Sequence, residues 1–178
     1  QKGDKKKILD LAAENARLVL AQDMERVKRQ EKRTIGAANE IAELLGIPSA
    51  NRMEAFDISN ISGVLSVASM VVFEQGKPKK NAYRKFRLRT VTGPDDYASM
   101  KEVLSRRFTD EKMDVLPDVI MMDGGKGQVN VALMVLDSLG LDIPVCGMVK
   151  DDNHRTRGLY YNNVEAVSYT HLRAHETR

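Results

Sequence analysis

The chain has 178 residues, with 28 Lys plus Arg against 25 Asp plus Glu for a net charge of +3, and it is 42% hydrophobic and 5% aromatic. That length and apolar fraction allow one ordinary domain with an arm and exclude global disorder. The single cysteine, Cys146, excludes an intramolecular disulfide framework and a cysteine-cluster zinc site, and apolar stretches such as Val67–Phe73 fall far short of a membrane helix. The N-terminus lacks an apolar signal core, so a cytoplasmic protein is expected. The net charge is too small to imply nucleic acid by itself, so where the cations sit matters more.

From Lys5 to Arg33 there is no proline, and Leu9, Ala13, Ala16, Leu20, Met24 and Val27 recur at spacings of three and four, which predicts a long helix with one apolar face. A second short helix follows, with Ala37, Ala38, Ile41, Leu44 and Leu45 as its stripe and Gly46 and Pro48 as its stop. Residues 1–50 therefore read as a helical arm. The texture then turns to β, with strands expected from Met53 to Ser59 and from Leu65 to Phe73, and a turn at Gln75-Gly-Lys-Pro. A third strand from Tyr83 to Val91 alternates Phe86, Leu88 and Thr90 with Lys85, Arg87 and Arg89, giving one apolar and one basic face. These three strands make an antiparallel meander.

Gly93-Pro94 opens a helix whose Tyr97, Met100, Val103, Leu104 and Arg107 face the sheet. The run Leu116-Pro-Asp-Val-Ile-Met-Met-Asp123 has the continuous apolar texture of a buried central strand. Gly124 and Gly125 turn the chain into a helix carrying Val129, Ala132, Leu133, Val135, Leu136 and Leu139, and Val145–Val149 and Gly158–Asn162 are further short strands. Strands alternating with helices call for right-handed parallel crossovers, so the expected class is α/β, a ribonuclease H-like mixed sheet of an antiparallel meander followed by parallel βα units.

Asp57 interrupts an apolar strand, where strands disfavour aspartate and an isolated carboxylate is costly. Asp123 closes the central strand before two glycines that let a substrate or a cation approach. If these strands are parallel neighbours, both acids project at the same carboxyl edge, where ligands bind in such sheets. Asp95 or Asp96 at the start of the crossover helix could supply a third carboxylate, although an acid in a helix first turn is also stabilised by the macrodipole alone. Three converging carboxylates need a divalent cation, and oxygen-only ligation suits Mg2+ or Mn2+. Such a cation can activate water and stabilise a phosphodiester during hydrolysis.

Gly124-Gly-Lys-Gly-Gln128 lacks the spacing of a Walker loop, although its backbone and Lys126 could hold a phosphate. The run from Lys150 to Arg157 concentrates cations near the same edge and could bind DNA phosphates or be a solvated turn. His171 and His175 are four apart but lack a His-Glu-x-x-His pattern, which argues against zinc. An actin-like phosphotransferase would want a Gly- and Thr-rich turn after the first acid, and Asp57-Ile-Ser-Asn-Ile-Ser lacks one.

Six stretches, in order, carry a family resemblance: Glu54-Ala-Phe-Asp-Ile-Ser-Asn, Ala68-Ser-Met-Val-Val-Phe-Glu-Gln-Gly-Lys-Pro, Tyr83-Arg-Lys-Phe, Gly93-Pro-Asp-Asp-Tyr-Ala-Ser-Met, Pro117-Asp-Val-Ile-Met-Met-Asp-Gly-Gly-Lys-Gly-Gln and Lys150-Asp-Asp-Asn-His-Arg-Thr-Arg-Gly. Over about residues 50 to 160 the chain resembles the ribonuclease H-like endonuclease half of the C subunit of the bacterial UvrABC excision-repair nuclease. The resemblance implies nucleotide excision repair, with damaged double-stranded DNA as substrate and the B subunit as partner. It implies that Asp57, Asp96 and Asp123 are the metal-binding carboxylates that cut on the 5′ side of a lesion, and Lys126, Arg155 and Arg157 are expected from their charge near the same edge to grip the DNA backbone.

The family's further catalytic histidine, its helix-hairpin-helix module, its N-terminal nuclease domain and its segment docking onto the B subunit have no counterpart in these residues, and His154 does not match the histidine position. An internal fragment is therefore expected, with a domain over residues 51–165 and an unmatched, foreign tail over residues 166–178. The alternative reading is a catalytically silent DNA-binding or docking fragment.

Overall fold

The computed structural model describes residues 2–61, 65–89, 91, 95–113, 115–150, 156–162 and 164–166, with only the backbone described at some of them, Asp96 and Arg157 included. The N-terminal helix α1 (Lys2–Glu31) passes through a π-helical turn at Lys32–Gly36 into α2 (Ala37–Leu45). The two expected helices are thus one continuous rod, because Gly36 takes ordinary helical angles and no proline interrupts the chain. Within the wide turn the Thr34 hydroxyl donates to the carbonyl of Gln30 at 2.8 Å. The rod stops at Gly46, whose φ of 64° suits glycine and whose N–H reaches the carbonyls of Ala42 and Glu43. Leu9, Leu20, Met24 and Val27 of α1 are each more than half exposed, whereas Ala38, Ala42 and Leu45 of α2 are buried. Among the described residues no helix is long and apolar enough to cross a membrane.

Among the described residues, eight strands form one sheet. β1 (Arg52–Ile61) pairs antiparallel with β2 (Leu65–Glu74), which turns tightly into β3 (Lys77–Pro78) and pairs farther along with β4 (Arg84–Arg87). β4 is shorter than the expected strand from Tyr83 to Val91. Its continuation is diverted by α3 (Asp96–Thr109), where Glu102 accepts the Arg89 N–H at 2.9 Å and Arg106 donates to the Arg87 carbonyl at 2.8 Å. On its other side β1 runs parallel to β5 (Val119–Met122), and β5 parallel to β6 (Val145–Lys150), with α4 (Lys126–Ser138) crossing between them. β7 (Thr156–Tyr161) and β8 (Val164–Ala166) extend that side by antiparallel pairing. The strand order is β3-β2-β1-β5-β6-β7-β8, with β4 also on β2. The class is the expected α/β mixed sheet behind a helical segment.

Strand alternation divides the core. Phe56, Ala68, Met70, Phe86, Ile120 and Met122 lie on one face under Met100, Val103 and Leu104 of α3 and Val129, Ala132 and Leu136 of α4. On the other face Met53, Val119, Cys146 and Leu159 pack with Ala42 and Leu45 of α2. Burial pushes the Cys146 thiol up to about 12. The nucleophile in thiol chemistry is the thiolate, so an aromatic disulfide reagent at mildly alkaline pH is expected to label Cys146 only as fast as the domain opens. Labelling of the native protein at the rate seen in denaturant would contradict this packing.

A buried ion pair joins the first face to α3. Glu54, fully buried, receives two hydrogen bonds from Arg107, Nε to Oε2 and Nη2 to Oε1, both at 2.8 Å, and Arg52 adds a contact at 3.0 Å. The remaining Arg107 donors reach the carbonyls of Met113 and Val115, each at 2.7 Å. A buried charge persists only when paired and hydrogen-bonded in this way. The pair fixes the last turn of α3 against β1.

Candidate active site at the carboxyl edge of the central strands

Parallel pairing puts the end of β5 beside the middle of β1. Phe56 lies opposite Met122, so Asp57 and Asp123 are the next residues on neighbouring strands, and the Asp123 N–H donates to the Phe56 carbonyl at 3.0 Å. Both carboxylates are intermediate in exposure, reachable by solvent yet set in the sheet. The sequence expectation of parallel neighbours at one edge is met.

Asp123 stands at a turn that the next strand must accommodate. Gly147 of β6 faces Met122, and a Cβ there would collide with the Gly124 carbonyl oxygen and press on Val129. The missing side chain lets the Gly124-Gly125 turn lie over β6 and lets α4 start beside the edge. Gly147→Ala is expected to destabilise the protein by about 1–3 kcal/mol, the usual cost of overpacking, read from urea midpoints. An unchanged midpoint would mean that the turn is not seated on β6.

A cation already occupies the edge. Lys150, the last residue of β6, places its ammonium 2.7 Å from the Asp123 carboxylate. The β6–β7 register slips between Val149 and Lys150, and such an irregularity re-aims a side chain. The hydrogen bond that Lys150 donates to Asp123 holds the lysine above its usual range, desolvation opposes this, and the charges of Asp123 and Asp57 add to it. Because the shift is upward, Lys150 is charged at neutral pH, and its attraction to the pair is lost only as pH rises past the lysine range. Sequence reasoning placed Lys150 in a basic run that could bind DNA phosphates or form a solvated turn, without linking it to Asp123; its position at the end of a strand parallel to β5 was the available signal.

The helix starts complete the edge. Asp95 caps α3 by accepting the Ala98 N–H at 2.9 Å, and Asp96 is the first residue of that helix. Asp95 is thereby engaged as a cap, while the side chain of Asp96 lies outside the described residues. Lys126, exposed, opens α4 after the glycine turn. Tyr97 lies so near Gly127 that a Cβ there would collide with its hydroxyl, so the first turns of α3 and α4 are in contact. Arg155, His154, His171 and His175, the side chain of Arg157 and the tail from Val167 also lie outside the described residues. Among the described residues, no three His, Cys, Asp or Glu side chains gather as a metal cluster. Asp57 and Asp123 are the two expected site residues that the fold brings together there.

The family model described as the UvrC RNase H endonuclease domain matches residues 42–177. The UvrABC system protein C of Lachnospira eligens is 63% identical over 176 residues, an alignment covering 93% of this chain and 29% of that protein. The corresponding protein of Clostridium novyi is 52% identical over 185 residues, covering 93% of this chain and 30% of the relative. The chain thus spans about 30% of the length of these relatives. Among solved structures, endonuclease V from Streptomyces avermitilis overlaps with a TM-score of 0.43 at 14% identity, covering 73% of this chain and 66% of that one.

Proposed function

This chain belongs to the UvrC RNase H endonuclease domain family, and from that premise we propose that it hydrolyses a phosphodiester of damaged double-stranded DNA, making the incision on the 5′ side of a lesion in nucleotide excision repair. It acts in the cytoplasm within an assembly that includes the B subunit of the excision nuclease. The observation that carries this reading is that Asp57, within β1, and Asp123, just past the end of β5, lie side by side on adjacent parallel strands, next to a turn free of side chains.

The donor set fits a hard divalent cation. It is all oxygen, as Mg2+ or Mn2+ prefer, and the edge already attracts the Lys150 ammonium to within 2.7 Å of Asp123. Asp57 and Asp123 would hold the ion, with Asp96 of the adjoining helix completing the set. Bound there, the cation supplies Lewis-acid polarisation of the phosphate and acidification of water. The protein's own part is to hold the two carboxylates by strand pairing, to keep the approach open at Gly124 and Gly125, and to grip flanking phosphates with Lys126, Arg155 and Arg157. Those contacts give salt-dependent affinity and no sequence reading.

The test is incision of a lesion-containing duplex by the chain with the other excision subunits, with and without Mg2+ or Mn2+. Cutting 5′ to the lesion only with metal supports the reading. Retention of DNA with no metal-dependent incision overturns it in favour of the silent DNA-binding fragment.

A further inference from the structure

The sheet register aligns the acidic edge with a distant basic strand. Asp123 lies beside Asp57, Asp57 faces Ser69 across β1 and β2, and Ser69 faces Lys85 across β2 and β4. Directly paired residues project to the same face of a sheet. The next row, Ile58, Ala68 and Phe86, belongs to the core under α3 and α4, so the row from Asp123 to Lys85 lies on the opposite face. That face is packed by α2 around Met53 and Val119. Farther along it, Val67, Ser69 and Val71 are half-buried, and Lys85 and Arg87 are exposed. Two strand spacings separate Asp57 from Lys85, about 10 Å.

The charge of this edge is one-sided. Between Lys77 and Arg89 there are seven cations and no carboxylate. Lys79 is tied to Glu74 at 2.6 Å, whereas among the described residues no ion pair engages Lys85 or Arg87. Cations on an edge strand also block pairing with other sheets. Edge protection needs charge somewhere on β4, but it gives no reason for Lys85 and Arg87 to share the face, and Lys85 the row, of the paired carboxylates.

We propose that Lys85 and Arg87 form the far end of a track on which one DNA strand crosses this sheet face beyond α2, holding backbone phosphates on one side of the bond at Asp57 and Asp123. One strand rises about 3.4 Å per nucleotide, so Lys85 meets a phosphate roughly three nucleotides from the cut. This inference rests on the nuclease reading above and adds residues that no other observation assigns to DNA.

The experiment measures binding of a fluorescein-labelled damaged duplex by anisotropy across a salt series in EDTA, where metal plays no part. The slope of log Kobs against log salt is expected to become shallower by about 1.8 in the Lys85→Ala/Arg87→Ala double variant, some 0.9 for each lost phosphate contact. Lys6→Ala, exposed on α1, is expected to keep the parental slope. A parental slope in a folded double variant overturns the track and leaves the nuclease reading intact. Failure of the parent to retain DNA at low salt overturns both.

Discussion

Replacing Arg107 with alanine is expected to lower the unfolding free energy by about 3–5 kcal/mol, the range for removing one partner of a buried ion pair. Glu54 is fully buried and accepts both Nε and Nη2 of Arg107 at 2.8 Å, so alanine leaves a buried carboxylate with Arg52 as its remaining ionic contact. The carbonyls of Met113 and Val115 lose their donors in the same step. Urea unfolding followed by circular dichroism reads the loss. A double change, Glu54→Leu with Arg107→Met, is expected to recover most of it, because an apolar pair of similar volume avoids the cost of burying charge. A loss under about 1 kcal/mol for Arg107→Ala would mean that the pair does not hold α3 to β1.

Asparagine at Asp57 or Asp123 is expected to remove metal-dependent incision while leaving the fold intact. Asparagine keeps the shape of the side chain and deletes the charge that holds a cation. The reduction in rate is expected to exceed the roughly 10–100-fold that loss of an outer-shell partner costs at a metal site, because these are the carboxylates that would touch the ion. Stability is expected to hold, since two like charges side by side on adjacent strands repel and each substitution relieves that repulsion. Asp123→Asn also releases Lys150, which is well enough exposed to be solvated. Incision by Asp57→Asn at the parental rate would contradict the assignment.

The fold was legible where periodicity was strong. The continuous apolar run into Asp123 is a central strand, the alternation at Phe86 separates a buried from a basic face, and Met100, Val103, Leu104 and Arg107 turn inward, whereas Tyr97, expected beside them, is exposed at the first turn of α3. Asp57 was legible as an acid out of place in an apolar strand, and its neighbour followed once the strand order was inferred. What local pattern could not reveal came from distant contacts. Arg107 was seen to face the sheet, but Glu54 lies 53 residues away. β4 ends early because Glu102 and Arg106 of a later helix take its backbone groups. Lys150 reaches Asp123 where the register slips, a displacement that no side-chain pattern encodes. The join of α1 to α2 escaped because apolar spacing marks a helix face and not its continuity, and Gly36 between the two expected helices adopts helical angles.

The central claim is that Asp57 and Asp123 together make a site for a divalent cation. Calorimetric titration of Mn2+ into the parent chain, Asp57→Asn and Asp123→Asn, each checked for folding by circular dichroism, tests it most directly. Saturable binding by the parent that is lost in both variants is the expected result. Binding that persists in both folded variants, or no binding by a folded parent, would contradict it.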